Sequence, residues 1–81
     1  LKNTGTIASG DNFTINGNFE NSNNIETADL DLTGNKLTNS GSIKADNISA
    51  NVTNITNSGK ILSSNNIVFS NAQNYRILMI F

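Results

Sequence analysis

The sequence predicts an all-β chain wound as a parallel β-helix, a solenoid of about four 18-residue coils with three short strands each. Three observations lead there. The chain repeats every eighteen residues, so that Leu1, Phe19, Leu37 and Ile55 fall in one column, Asn3, Asn21, Asn39 and Asn57 in a second, and Ile7, Ile25, Ile43 and Ile61 in a third. A unit this short cannot bury its own apolar side and must stack on copies of itself. Within each unit the apolar residues alternate with polar ones, the spacing of a strand and not of a helix. Between the alternating runs lie Ser, Gly, Asp and Asn, the residues of turns.

The coils are 1–18, 19–36, 37–54 and 55–72. The third, LTNSGSIKADNISANVTN, shows the pattern best: Ile43 and Ala45 make one run, Ile48, Ala50 and Val52 another, and Leu37 with Asn39 a short third piece. Three pieces and three bends make one coil. The first bend has the column Gly5, Asn23, Gly41, Gly59, preceded by Thr4, Ser22, Ser40, Ser58. Asn tolerates positive φ better than any residue except Gly, so a left-handed corner is expected there, with the small hydroxyls bonding to local backbone. The second bend varies in length. Six positions separate Ile7 from Phe13 and Ile61 from Ile67, but five separate Ile25 from Leu30 and Ile43 from Ile48. The extra residue must bulge in the turn, because a slip of one within a strand would reverse every side chain, and a compensating change before the next coil should restore the period.

Phe13 and Ile15 should then stack over Leu30 and Leu32, then Ile48 and Ala50, then Ile67 and Phe69. Ser9, Thr27, Ala45 and Ser63 form a small-residue column beside the isoleucines, which keeps a narrow interior fillable. The asparagine column is read as structural: side-chain amides stacked at strand spacing can pass hydrogen bonds from coil to coil. Beyond Ala72 the pattern fails, since the next asparagine position holds Tyr75 and the chain ends in five apolar residues, Ile77 to Phe81. Residues 73–81 are a divergent coil start, a cap strand or a truncation end.

Composition excludes several functions. A net charge of −1 with only 14% charged residues supplies no basic field for nucleic acid and no polybasic patch for anionic lipid. No nucleic-acid partner and no stable membrane insertion are expected. Without His or Cys, general acid–base chemistry would rest on carboxylates, Lys, Tyr75 or hydroxyls, and thiol chemistry is absent. The best carboxylate cluster is Glu26, Asp29 and Asp31. By strict eighteen-residue spacing the columns of Asp29 and Asp31 hold Asp11, Asn47 and Asn65, or Phe13, Ser49 and Ile67, so no cation-coordinating ladder continues and a solvated strand edge is the reading. Glu26 and Lys44 share an outward column, where opposite charges support register. Sequons stand at Asn12, Asn47, Asn51 and Asn54, as so Asn-rich a chain produces by chance. No catalytic, cofactor-binding or metal residue is assigned, and no cofactor. The chain is read as no enzyme.

The pattern L-x-N-[ST]-G-x-I-x-A in LTNSGSIKA, and closely in LKNTGTIAS and ITNSGKILS, resembles the repeats of filamentous haemagglutinin-type adhesins, the two-partner secretion exoproteins that include contact-dependent inhibition toxins. The resemblance covers residues 1–72, with Asn23 departing from Gly in the second coil. It implies a right-handed parallel β-helix, export through an outer-membrane secretion pore, and a secreted or extracellular stalk at the bacterial cell surface. The partners it implies are neighbouring coils of a longer chain, from which this would be a piece, and host or bacterial cell-surface receptors. A carbohydrate-binding or polysaccharide-degrading β-helix protein is the functional alternative, but it needs aligned charged residues across coils. A pentapeptide-repeat fold would need Ala28-Asp29-Leu30 to recur every five residues, which it does not. An ice-binding solenoid would need regular outward threonines, where Thr6, Asn24, Ser42 and Lys60 stand.

Overall fold

Alternation of apolar and polar residues makes each segment extended, and stacking at an offset near eighteen pairs it with its own repeat. The computed structural model describes residues 1–70 and the backbone of 74–77. Within them the chain is a parallel β-solenoid of about four turns. The strands are β1 (Lys2–Asn3), β2 (Thr6–Asn16), β3 (Phe19–Asn21), β4 (Asn24–Asn39), β5 (Ser42–Asn57), β6 (Lys60–Ser70) and β7 (Asn74–Ile77). All pairings are parallel: β1 on β3, β2 and β3 on β4, β4 on β5, and β5 on both β6 and β7.

Three short strands per coil were expected, yet β4 and β5 each run for 16 residues. They stay paired at one offset from Asn24 opposite Ser42 to Asn39 opposite Asn57, skipping only Ala28 and Asn35. Two adjoining turns of equal length follow each other around a bend, so the ladder bends without breaking. Only the Ser-Gly corner interrupts it.

The second bend behaves as its spacing predicts. Ser9 pairs with Thr27 but Asn12 with Asp29, and Ala45 pairs with Ser63 but Asn47 with Asn66, so the longer bends of the first and fourth turns bulge by one residue. Phe13, Leu30, Ile48 and Ile67 meet in one inward column, and Ile15, Leu32, Ala50 and Phe69 in the next. After the first turn the period is restored, because Phe19 again pairs with Leu37. After the fourth it is not. Strand β7 pairs Tyr75 with Ile55 and Ile77 with Asn57, two residues out of the eighteen-residue period. The fourth-turn bulge goes uncompensated and one more residue enters before β7, so Ile77 and not Tyr75 takes the asparagine column. Residues 71–73 and 78–81 lie outside the described residues.

The interior is the set of inward columns. Ile25, Leu30, Leu37, Ile43, Ile55 and Ile61 are all fully buried, while Ile7, Phe13, Ile67 and Phe69 at the two ends of the stack are partly covered. Ile15 in the first turn and Ile61 in the fourth are nevertheless buried, so each of these turns closes part of its core. In the small-residue column, Thr27 is buried with its hydroxyl oxygen unpartnered. Leaving a buried hydroxyl unpaired costs about 1–3 kcal/mol, and valine has the same shape. Thr27→Val should therefore stabilise the fold by about 1 kcal/mol, seen as a Tm raised by roughly 4–8 °C in a chain this size. An unchanged or lowered Tm would mean that the hydroxyl is satisfied in solution.

The corner glycines follow a different rule from the one expected. Among the described glycines only Gly17 has a positive φ, 108°; Gly41 and Gly59 do not. Their constraint is contact between turns: a Cβ on Gly59 would overlap the Gly41 carbonyl oxygen, and one on Gly41 the Asn23 carbonyl oxygen. The corner turns so tightly that successive backbones touch. Asn23, the one side chain in that column, sits where the spacing loosens, with Asn24 N–H donating to Gly5 O at 3.1 Å against 2.7 Å from Ser42 to Asn23 and 2.9 Å from Lys60 to Gly41. Its own amide donates to Thr4 O. The Ser22 hydroxyl likewise donates to Asn3 O of the preceding turn, at 3.2 Å, and not to local backbone.

Candidate functional site

The most ordered polar feature is the buried asparagine column at the Ser-Gly corner. Asn3, Asn21 and Asn39 each donate a side-chain Nδ2–H to the Oδ1 of the next member, Asn21, Asn39 and Asn57, at 2.8 Å every time. Each Nδ2 also donates to backbone carbonyls of its own corner and of the next turn, as Asn39 does to Gly41 O at 3.3 Å and Lys60 O at 3.0 Å. Asn21 and Asn39 expose none of their surface. A ligand has no access to these amides. They satisfy the carbonyls that the corner turns away from the sheet, and the period that made them visible in the sequence is the spacing of that task.

Outward chemistry is sparse. Glu26 and Lys44 do pair in register, both exposed, but the same column continues as Ala8 on one side and Leu62 on the other. Asp29 is half-buried and accepts a hydrogen bond from Asn47 Nδ2 at 2.8 Å, whereas Asp31 is exposed. The columns assigned to these two aspartates by strict spacing need correction. Asp29 lies between Asn12 and Asn47, with Asn66 beyond, and Asp31 between Thr14 and Ser49, with Val68 beyond. The bulge that shifts the inward residues carries the outward ones with it, so Asp11, Asn65, Phe13 and Ile67 belong elsewhere. The result is a continuous outward row of Asn12, Asp29, Asn47 and Asn66. The row holds one carboxylate among three amides, with Asn47 donating to Asp29, and among the described residues no cluster of three or more His, Cys, Asp or Glu could hold a metal ion.

Two further features were not foreseen. Gly17 and Gly34 face one another, Gly17 N–H donating to Thr33 O at 2.7 Å and a Cβ on Gly34 overlapping the Gly17 carbonyl. Carrying the seventeen-residue offset of the second bend forward from Asn16 and Thr33 would have found this pair. The other feature is an open groove of 340 Å³ lined by Lys2, Glu20, Lys36 and Thr38, with Leu1, Asn18 and Phe19. It carries two lysines and one glutamate over a shallow strand edge, with the terminal amine beside it donating to Asn18 O at 2.8 Å. Tyr75 lies on β7, where the backbone alone is described. No helix of the described residues is long and apolar enough to cross a membrane. No protein-family model, curated protein or solved structure matches this chain.

Proposed function

We propose that the chain is a structural shaft segment of a secreted bacterial surface adhesin or haemagglutinin, with no active site of its own, which holds adhesive or toxic domains toward host or neighbouring cells. One observation carries this reading: the isoleucine and asparagine columns that recur from turn to turn point inward, while of the outward columns only the Asn12, Asp29, Asn47 and Asn66 row keeps its chemistry. Isoleucines and asparagines recur where turns touch, while Thr6, Asn24, Ser42 and Lys60, or Ala8, Glu26, Lys44 and Leu62, share no chemistry where a ligand would meet them. A recognition surface needs the opposite distribution. What the repeat specifies is stacking, and stacking makes length. The sequence pattern shared with haemagglutinin-type repeats supports the bacterial cell surface as the location and an outer-membrane pore as the export partner.

The test is an in-frame removal of residues 19–54 from the parent protein, which takes out two whole turns. The shaft should shorten by about 10 Å, while receptor binding by the parent is retained. Loss of binding with the remaining domains folded, or measurable cleavage of a uronate polymer by the chain, would favour a carbohydrate-binding or polysaccharide-degrading β-helix instead.

A further inference from the structure

Seventeen asparagines occur in the chain, and Asn16 alone is followed by glycine. That neighbour matters because an asparagine loses its amide when the next backbone nitrogen attacks the side-chain carbonyl carbon, and a side chain on the attacking residue stands in the way. Glycine has none. Most of the other asparagines precede a branched, aromatic or long residue, and the three that precede serine, Asn21, Asn39 and Asn57, belong to the buried ladder. Water has no access there, and the amides of Asn21 and Asn39 are held by the next member of the column.

Asn16 is placed differently. It is the last residue of β2, is exposed, and its side chain enters no hydrogen bond among the described residues. Gly17 follows with φ at 108°, where the chain leaves the ladder after the pair Asn16 and Thr33. We propose that Asn16-Gly17 is a site of spontaneous deamidation through a cyclic succinimide, converting Asn16 to aspartate and isoaspartate. The proposal rests on the fold and is independent of the shaft reading.

Gly17 N bonds to Asn16 Cγ, the bond from Cγ to Nδ2 breaks, and the amide leaves as ammonia with the proton that the Gly17 nitrogen gives up. Water then opens the ring. Attack at Cγ yields aspartate, whereas attack at the main-chain carbonyl carbon yields isoaspartate, whose backbone runs through Cβ and Cγ and is one carbon longer. Water is the only other reactant. In the folded chain the Gly17 N–H donates to Thr33 O at 2.7 Å, and that hydrogen bond must open before the nitrogen can attack. Its opening sets the pace. The longer backbone of isoaspartate has little room, because Gly17 O already lies where a Cβ on Gly34 would overlap it. The first turn is thereby loosened from the second. Either product also adds a carboxylate to the outward face that holds Asp31, two residues before Thr33.

The test is storage of the folded 81-residue chain in mildly alkaline buffer at physiological temperature, sampled by ion-exchange chromatography and by mass spectrometry with residue-level fragmentation. A more acidic form, one mass unit heavier, should accumulate, with the change at Asn16 ahead of every other asparagine. The isoaspartate form should melt below the unmodified chain. A change that appears first at another asparagine overturns the proposal, and so does a folded chain that keeps its Asn16 amide while the same chain in urea loses it. Asn16→Gln supplies the control, since the longer side chain disfavours ring closure. It should leave the far-ultraviolet spectrum unchanged and abolish the acidic form; undiminished accumulation in that variant overturns the assignment.

Discussion

Ile43→Asp is expected to leave the chain unfolded at room temperature. Ile43 sits at 1% exposure between Ile25 and Ile61, the residues of the turns before and after it. An aspartate there loses the aliphatic packing of three turns at once and places a carboxylate where no cation or donor is set to meet it. A domain of this size has a total stability of about 4–12 kcal/mol, and a buried unpaired charge together with lost core volume removes about 5–10 kcal/mol, most or all of it. The adjacent Lys44→Ala is the control. Lys44 is exposed beside Glu26, and its loss should change stability by no more than about 0.5 kcal/mol. Urea unfolding followed by circular dichroism reads both, and equal tolerance of the two substitutions would refute the inward and outward assignment.

Asn39→Leu comes next in size. Leucine keeps the branching of asparagine but is larger, so overpacking at this closed site adds to the loss of the amide. Lost together are the donations from Asn39 Nδ2 to Asn57 Oδ1, Gly41 O and Lys60 O, and the one that Asn39 Oδ1 accepts from Asn21. At a site with no exposed surface, these groups have no water to replace what was lost. A cost of about 3 kcal/mol is expected, with the Tm lowered by roughly 15 °C. The ladder is shared between turns, so Asn21→Leu combined with Asn39→Leu should cost less than the sum of the two alone. Full additivity in that double-mutant cycle would show that the four amides act one by one.

Much of this was legible in single residues of the repeat. The inward columns could be read because each turn restates them, and the Ile7 to Phe13 and Ile61 to Ile67 spacings located both bulges before any strand was paired. The asparagine ladder was legible for the same reason: an amide recurring at one position in four successive turns has a neighbour of its own kind above and below. Gly41 and Gly59 show where such reading stops. A glycine column is equally consistent with a left-handed backbone and with a carbonyl passing close by, and only the distance between turns distinguishes the two. The outward aspartates failed for a related reason. Asp29 lies beside Asn12 and not Asp11, because the bulge moves the strand by one residue against the eighteen-residue period.

The sequence by itself determined that this chain is extended, that it winds with a period near eighteen, which side chains face inward, and that asparagines line one corner, because alternation and repetition are local properties carried by each residue and its copies. Tertiary structure alone decided the pairing across turns: that β4 and β5 run unbroken through two bends, that the row beside the core reads Asn12, Asp29, Asn47 and Asn66, and that Ile77 and not Tyr75 lies over Asn57. Each of these depends on how residues gained in one bend are absorbed by the turn stacked against it. That balance is struck between strands far apart in the chain, by hydrogen bonds and contacts no single repeat contains.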